Sequence, residues 1–296
     1  MILHAFRAAG WRNLQSTVVE PGPHATVFFG QNGQGKTNLV EAAHYLVEFR
    51  SFRTKTPAEL VGWNSDRALL SAEVTYGGLD RRIEIEVGPG RTRGGKSVRL
   101  DDKAVRRDAA RTRGLGVVVF VPDDLMLPKA APAARRSFLD RAAFAVDRSF
   151  YGEAVTHQKV LRSRNAVLRK GGGSPALLET YDEELARAAA RLVVRRRSLA
   201  SALAPRVRDL FVALHAPLAA DIHYRSDPRI EGAASEEELT QAVLEGLRAT
   251  RTLDLRRGFT GFGPHTDDLE LCLAGRPVRL SDRADAVKRR HRTRVQ

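Results

Sequence analysis

Short apolar runs punctuated by Gly, Pro and Asn mark the first 121 residues, and this pattern is typical of strands. The runs cover 2–6, 17–19, 25–29, 68–76, 81–87 and 116–121. Between them, residues 35–49 carry apolar positions with the 3.6-residue period of a helix. The Gly-rich, basic residues 88–96 are predicted to form a hairpin tip. The first part of the chain is therefore predicted to be a strand-rich α/β unit.

From Pro132 onward the apolar positions follow a helical period instead. Helices are predicted over 133–146, 150–169, 175–214 and 236–257, the third of them broken or bent at Pro205. Residues 268–273 then return to the alternation of a strand. The pattern thus indicates a helical insertion of about 125 residues within an otherwise mixed α/β chain.

Composition limits the class of protein. The 296 residues suffice for one large domain or two modest ones, and 43% apolar with 28% charged residues is typical of a soluble globular chain. No apolar stretch is long enough to cross a membrane, and the first ten residues do not resemble a signal peptide. The single cysteine, Cys272, excludes a disulfide framework. We therefore expect a cytoplasmic protein without a membrane partner.

Charge is the strongest compositional signal. The chain has 49 basic and 35 acidic residues, which gives a net charge of +14. Such a field attracts polyanions, and nucleic acid is the commonest polyanion in a cytoplasm. Arginine preference offers an alternative explanation, because only 8 of the basic residues are Lys. Composition alone leaves both explanations open.

Residues 30–37 match the phosphate-binding pattern G-x-x-x-x-G-K-[ST]. The candidate nucleotide-binding residues are Gly30, Gln31, Asn32, Gly33, Gln34, Gly35, Lys36 and Thr37. Glycines allow backbone N–H groups to surround a polyphosphate, and the following helix adds its positive dipole end. We expect Lys36 to reach the β- and γ-phosphates of ATP and Thr37 to bind Mg²⁺. A purely structural Gly-rich turn is the alternative.

ATP hydrolysis also needs an acidic group that helps to hold Mg²⁺ and orients water. The candidates are Asp123 and Asp124, which follow the apolar run 116–121. Pro122 interrupts that run before the acids, and Pro-Asp-Asp is also typical of a turn or helix start, where Asp123 could cap the residues from Leu125. Both interpretations stay open at this point.

The remaining polar residues indicate no second catalytic site. The eight histidines lack the spacing of a zinc hydrolase, and His265 is expected to lie in a turn that enters a strand. The paired and tripled arginines at 135–136 and 195–197 lie on predicted helices. We expect them to face solvent, although they would also suit phosphate contacts.

Seven segments, in order, resemble signatures of the bacterial RecF family of recombination mediators. They are Trp11-Arg12-Asn13-Leu14, the loop and helix Gly30–Ala42, Ser51-Phe52-Arg53, Phe120–Leu125, Arg135–Asp140, Leu161–Leu168 and Gly263–Leu269. In the last segment Thr266 stands where the family usually has Arg. The matches run from residue 2 to about residue 279, and together they are specific.

The resemblance implies a P-loop ATPase head of the ABC/SMC type, with a mixed α/β sheet and an inserted α-helical arm. It implies domains at 1–128 (head with the P-loop), 129–257 (arm), 258–279 (a strand returning to the head) and 280–296 (a basic tail). It also implies an ATP-binding protein that forms an ATP-dependent homodimer and binds single-stranded, double-stranded and gapped DNA. The family functions in DNA replication, recombinational repair and the SOS response, and loads RecA together with RecR.

The chain departs from the family after about residue 279. Family members continue with a signature turn and an acidic strand, whereas here Ser281 is followed by a basic segment without a Gly-Gln pair. A frameshift, truncation or split gene would produce this, and the tail is expected to be disordered. We therefore expect weak or absent ATP hydrolysis. The alternatives are a competent ATPase that uses Asp123 or Asp124, and a DNA-binding fragment that does not depend on nucleotide.

Overall fold

The computed structural model describes residues 2–88, 95–105, 116–214 and 218–278. The predicted basic tail and most of the predicted hairpin tip lie outside these residues. Contacts divide the chain into two compact units, Met1–Phe120 and Val121–Gln296. The domain boundaries implied by the resemblance therefore remain a prediction, and each unit is described here by itself.

The first unit is built on a six-stranded antiparallel sheet in the order β2-β1-β3-β4-β5-β6. Its strands are β1 (Ile2–Trp11), β2 (Leu14–Val19), β3 (Ala68–Tyr76), β4 (Leu79–Val87), β5 (Lys96–Leu100) and β6 (Lys103–Ala104). Helix α1 (Lys36–Glu48) and a 3₁₀ helix (Pro57–Leu60) complete the unit. Alternation along β3 and β4 buries every second residue, as the pattern predicts.

Helix α1 packs against one face of this sheet. Trp11 at the end of β1 and Tyr45 of α1 are both fully buried, with their ring centroids 4.9 Å apart in an edge-to-face arrangement. Leu70, Ile83 and Ile85 from the middle strands extend the same core. Because this core joins α1 to the sheet, it fixes the start of the helix relative to the β1–β2 turn.

The second unit is mainly helical. A 3₁₀ helix (Pro122–Lys129) precedes α2 (Pro132–Val146), α3 (Phe150–Arg169), α4 (Pro175–Ala213), α5 (Pro228–Glu231) and α6 (Glu236–Arg257). Ser174 and Ser235 cap α4 and α6 by accepting hydrogen bonds from backbone N–H groups. Within the described ranges, no helix is long and apolar enough to cross a membrane.

A small sheet joins the helices of this unit. Strands β7 (Ala220–Arg225), β8 (Asp268–Leu273) and β9 (Arg276–Pro277) pair antiparallel in that order. The region predicted as an all-helical arm thus contains a strand, and the strand predicted at 268–273 pairs with it. Among the described strands every pairing is antiparallel, so the sheet expected to be mixed is antiparallel here.

Two predicted strands are not strands in the structure. Residues 25–29 and 116–120 form neither helix nor strand and pair with no described strand. Val27 and Phe29 are 80% and 92% exposed, and Val118 is 91% exposed. An apolar run forms a strand only when a neighbour satisfies its backbone groups, and none pairs with these two runs among the described residues.

The helix predicted to be broken or bent at Pro205 is not broken there. Helix α4 runs through Pro205 without interruption over 39 residues. Proline removes one helical N–H donor and disfavours a straight helix, but Ala200 and Leu203 on the flanking turns pack against the core that includes Leu139 and Leu269. Tertiary packing therefore overrides the local preference at this position.

A buried ion cluster lies at the centre of the second unit. The Arg164 side chain of α3 is 0% exposed, and its guanidinium donates to Asp182 of α4 at 2.6 Å and to Asp254 of α6 at 2.8 Å. It also donates to the Thr260 hydroxyl at 2.8 Å. Arg251 approaches Asp182 from its more exposed side. One guanidinium thus links three helices and the loop after α6.

We predict that Arg164→Ala lowers the free energy of unfolding by about 3–5 kcal/mol, because it leaves the buried Asp254 carboxylate without its ion-pair partner and the buried Asp182 carboxylate with Arg251 alone. Urea denaturation followed by far-UV circular dichroism measures this change. Arg162→Ala on the exposed side of the same helix is the matched control and should change stability by about 0.5 kcal/mol or less. Equal effects of the two substitutions would contradict a structural role for the cluster.

Candidate nucleotide-binding site

The loop 30–35 has the backbone of a phosphate cradle. Gly30, Gly33 and Gly35 have φ values of 137°, 84° and 98°, and helix α1 begins directly after them. A Cβ at Gly33 would meet nothing within 4 Å, so the concave side of the loop is open there. Side chains disfavour these φ values, and the glycine spacing of the motif therefore has a direct conformational cause.

Lys36 folds back over this loop. Its ammonium donates to the carbonyl oxygens of Gly30 and Gln31, both at 2.7 Å. Thr37 follows on the first turn of α1 and is exposed. The positive charge and the hydroxyl thus lie at the mouth of the cradle, where the motif predicts phosphate and Mg²⁺. The donor set fits a magnesium–nucleotide: one hydroxyl from the chain, with phosphate oxygens completing the ligands.

A polar brace fixes the loop to the β1–β2 turn. The Asn13 amide donates to the Gly33 carbonyl at 3.0 Å, and its own oxygen accepts from Asn38 of α1 at 2.7 Å. Arg53 donates to Asn38 at 2.7 Å. A Cβ at Gly35 would lie 2.8 Å from Asn13, so only glycine allows this close approach.

Glu41 lies beneath the brace and is fully buried. Its two carboxylate oxygens accept hydrogen bonds from Arg12 at 2.9 and 3.0 Å, in a bidentate pair. The Ser51 hydroxyl also donates to Glu41, and Arg53 lies 3.6 Å from it. Arg12 further donates to the Glu59 carbonyl at 2.8 Å. The carboxylate therefore joins α1, the β1–β2 turn and the segment after α1.

Sequence reasoning singled out the loop but gave no role to this brace. Asn13, Glu41 and Arg53 all lie inside segments that carry the family resemblance, which was the available signal. Their contacts are long-range in sequence, from 10 to 29 residues apart. Spacing within a single motif cannot reveal such contacts.

A cavity of about 680 Å³ adjoins the loop. One wall is formed by Arg12, Asn13, Leu14 and Gln15, and the other by Glu59 and residues 61–65. Asn13 connects the two features because it both lines the cavity and contacts Gly33. The indole of Trp63 on the cavity wall is fully exposed. The volume is in the range of small-molecule binding sites.

Asp123 and Asp124, the candidate acids, lie in the second unit, in its first 3₁₀ helix. The Asp124 carboxylate accepts a hydrogen bond from the Val121 backbone at 2.9 Å, while Asp123 is exposed. The N-cap residue is Val121, and the carboxylate that bonds back to it is that of Asp124 and not that of Asp123. Helix-start chemistry accounts for this pair. Within the described residues no cluster of three or more acidic, His or Cys side chains could hold a metal ion.

Relatives of this chain share one name. It is 41% identical over 286 residues to the DNA replication and repair protein RecF of Anaeromyxobacter sp. (strain K), covering 95% of this chain and 75% of that protein. It is 38% identical over 283 residues to the RecF of Myxococcus xanthus (strain DK1622), covering 94% and 73%. The chain belongs to the RecF family. No protein-family model matches it.

Solved RecF structures have the same fold. The structure of the recombination mediator protein RecF-ATP in the RecFOR pathway superposes with a TM-score of 0.86 at 26% identity, over 94% of this chain and 76% of that one. The corresponding RecF-ATPrS structure gives 0.83 at 25% identity, over 94% and 75%. These similarities confirm the predicted RecF-like fold class.

Two RecF-like segments meet in the second unit. Arg135 of α2 pairs with Asp268 at 2.5 and 2.8 Å, and Arg136 donates to the Asp267 carbonyl at 2.5 Å. Burial raises the pKa of Asp267 to about 6, and the Tyr224 hydroxyl donates to its carboxylate. The prediction that Arg135 and Arg136 face solvent is therefore wrong, because both hold the 263–269 segment.

The arginines at 195–197 are likewise structural in this RecF-family chain. Arg196 pairs with Asp140 at 2.7 and 2.9 Å and donates to the Pro264 carbonyl. Arg195 pairs with Glu153, and Arg197 donates to two backbone carbonyls near α5. The prediction that these arginines face solvent is therefore wrong for Arg196, which is buried, whereas the Arg195 side chain is 42% exposed although it is paired. A run of like charges on a helix does not reveal which partners other elements bring.

His265 lies in the predicted turn. The Thr266 N–H donates to the Gly263 carbonyl at 2.9 Å, and His265 Nε2 lies 2.9 Å from the Thr260 carbonyl. Burial lowers the pKa of His265, and it lowers that of the neighbouring His157 to about 3, with the ring centroids 6.2 Å apart. Both rings are therefore neutral at physiological pH, as packed structural groups are.

We predict that Glu41→Gln lowers the free energy of unfolding of the first unit by about 2–3 kcal/mol, because the Arg12 guanidinium loses its bidentate carboxylate. Both tryptophans of the chain, Trp11 and Trp63, lie in this unit, so urea unfolding followed by tryptophan fluorescence reports on it. Glu59→Gln is the control, since its side chain is exposed. A midpoint for Glu41→Gln equal to that of the control would contradict the prediction.

Proposed function

We propose that this chain is an ATP-binding DNA replication and repair protein of the RecFOR pathway. The observation that carries the proposal is the open glycine cradle with Lys36 and Thr37 at its mouth, held by the Asn13 brace. Its RecF relatives, one of them solved as RecF-ATP, support the same assignment. Residues 30–37 would bind ATP, and Thr37 would bind Mg²⁺.

Each group in the loop has a distinct task in this proposal. Backbone N–H groups of the cradle and the start of α1 would donate to the phosphate oxygens. Lys36, released from the carbonyls of Gly30 and Gln31, would neutralise charge on the β- and γ-phosphates. The Thr37 hydroxyl would hold Mg²⁺, which would supply positive charge to the phosphates when bound. The chain's own contribution is thus to bind and orient the triphosphate.

The nucleoside would occupy the 680 Å³ cavity next to the loop. The cavity shares Asn13 with the brace, so a triphosphate in the cradle leaves its nucleoside at the cavity entrance. Trp63 offers an exposed aromatic face, and an aromatic ring can stack on any base. Trp63 would therefore be the principal contact of the base.

The finer biology also remains a proposal. The chain would act in the cytoplasm at single-strand gaps and DNA ends, in replication, recombinational repair and the SOS response, and help to load RecA with RecR. An ATP-dependent homodimer would be its active form. These expectations rest on the family resemblance, and the net charge of +14 supports a DNA partner.

We propose that the chain binds nucleotide, and we assign ATP hydrolysis to no residue. Asp124 is engaged at a helix start, and nothing in its surroundings indicates a role with phosphate. Competent hydrolysis through Asp123 or Asp124 is the alternative. This alternative requires that the parent releases phosphate from ATP faster than Lys36→Ala does. The excess must disappear in Asp123→Asn or Asp124→Asn.

We predict that Lys36→Ala weakens ATP binding by about ten- to hundred-fold, because it removes a charge-assisted contact to the phosphates. A fluorescent ATP analogue titrated in the presence of Mg²⁺ measures the dissociation constant. Lys103→Ala, an exposed lysine at the sheet edge, is the control and should bind like the parent. If Lys36→Ala bound as tightly as the parent, the assignment of the loop would be wrong.

We predict that Trp63→Leu weakens ATP binding by about 1–3 kcal/mol, the usual range for one base stacked on an aromatic ring. Inorganic triphosphate is the matched ligand, because it has no base and should bind the variant and the parent equally. Isothermal titration of both ligands into both proteins makes the comparison. If both ligands lost affinity equally, Trp63 would contact the phosphates and not the base. If neither lost affinity, the base would not bind in this cavity.

A further inference from the structure

An exposed face of α3 carries only basic charge. Four exposed basic residues follow one another along this face, and the last of them caps the helix: Lys159, Arg162, Arg169 and Lys170. Their intervals of three, seven and one residues place them within one stripe of the helix surface. The stripe is about 16 Å long at 1.5 Å per residue. The one acidic residue of α3, Glu153, is on another side and pairs with Arg195.

The end of α6 extends this stripe. A Cβ at Gly258 would lie 3.4 Å from the Arg169 Cγ, and a Cβ at Gly172 would meet Leu255. The carboxyl ends of α3 and α6 are therefore adjacent, and the exposed Arg256 and Arg257 belong to the last turn of α6. We call the six residues Lys159, Arg162, Arg169, Lys170, Arg256 and Arg257 the basic stripe.

The basic stripe has no internal counter-charge. Within the described residues, none of its six members forms an ion pair; Arg162 donates only to the Gln158 carbonyl of its own helix. Five other exposed arginines of this unit do pair with an acid: Arg191, Arg208, Arg225, Arg229 and Arg248. The stripe thus carries basic charge that no acid in the described part of the chain compensates.

Helix-dipole compensation explains only part of this surface. Basic residues near a helix carboxyl end stabilise it, but the effect falls off within the last turn. Arg169, Arg256 and Arg257 meet this condition. Lys159 and Arg162 lie two or more turns before the end of α3 and do not. Helix stability therefore does not explain the full length of the stripe, and another function is needed to explain it.

We propose that the basic stripe is the surface that binds the phosphate backbone of DNA. A length of about 16 Å faces roughly five phosphates of one strand, since they follow at about 3.4 Å along the duplex axis. Six unpaired cations suit a regular polyanion, and such contacts fix position without reading sequence. This proposal rests on the proposed function, because it assumes that the chain binds DNA.

The test compares two double variants with a matched control in the full chain. The variants are Arg169→Gln/Lys170→Gln and Arg256→Gln/Arg257→Gln, and the control Arg141→Gln/Arg206→Gln removes two exposed, unpaired charges elsewhere in the same unit. Fluorescence anisotropy with a labelled gapped duplex of arbitrary sequence gives the affinity between 50 and 200 mM salt, chosen as about the range where phosphate contacts dominate. Thermal unfolding verifies that each variant is folded at the assay temperature.

Each stripe variant should bind DNA about ten- to thirty-fold more weakly at physiological salt, with a log–log salt slope lower by about two, one for each lost contact. The control should match the parent in both. If the parent binds DNA and the stripe variants equal the control, the stripe is not the DNA surface and serves the helix ends or an acidic protein. If the parent itself does not bind DNA, the proposed function fails first.

Discussion

The second unit depends on the burial of a single guanidinium. Arg164 has no contact with solvent, and its charge is acceptable there only because Asp182 and Asp254 lie within 2.8 Å. Those carboxylates belong to α4 and α6, so the three helices must pack together for the Arg164 charge to be satisfied. The Thr260 hydroxyl adds the following loop to the same arrangement. The packing of these helices and the pairing of the buried Arg164 charge therefore depend on each other.

A smaller cluster around a buried charge holds the first unit together in the same way. Buried Glu41 receives Arg12 and Ser51, which come from the turn before the loop and the segment after α1. The Glu41 cluster and the Arg135–Asp268 pair fall within the RecF-like segments, whereas the Arg164 and Arg196–Asp140 contacts each have one partner there, Arg164 and Asp140. Much of the family resemblance thus consists of paired charges that hold elements together, and the phosphate loop is the part exposed to a ligand.

The sequence was sufficient where local patterns decide structure. Helices α3 and α6 and strands β3 and β8 have the predicted bounds, because each buries an apolar stripe with a clear period. The sequence was not sufficient where partners distant in the chain determine whether a run forms a strand or whether a side chain is buried. The runs at 25–29 and 116–120 have no described neighbour, and Arg135 and Arg196 find acids or carbonyls more than fifty residues away. The loop 30–37 was predictable from its motif, whereas its brace was not.

That brace changes how the phosphate loop is held. The expected support was a strand at 25–29 leading directly into the loop, yet those residues are unpaired in the described structure. Instead, Asn13 reaches Gly33 from the β1–β2 turn, and Asn38 and Arg53 fix Asn13 in place. The turn itself is rigid because Trp11 is buried against Tyr45 of α1. The loop therefore owes its shape to positive-φ glycines and to the polar contact from Asn13, while a Cβ at Gly30 or Gly33 would meet nothing within 4 Å, which leaves space there for phosphate.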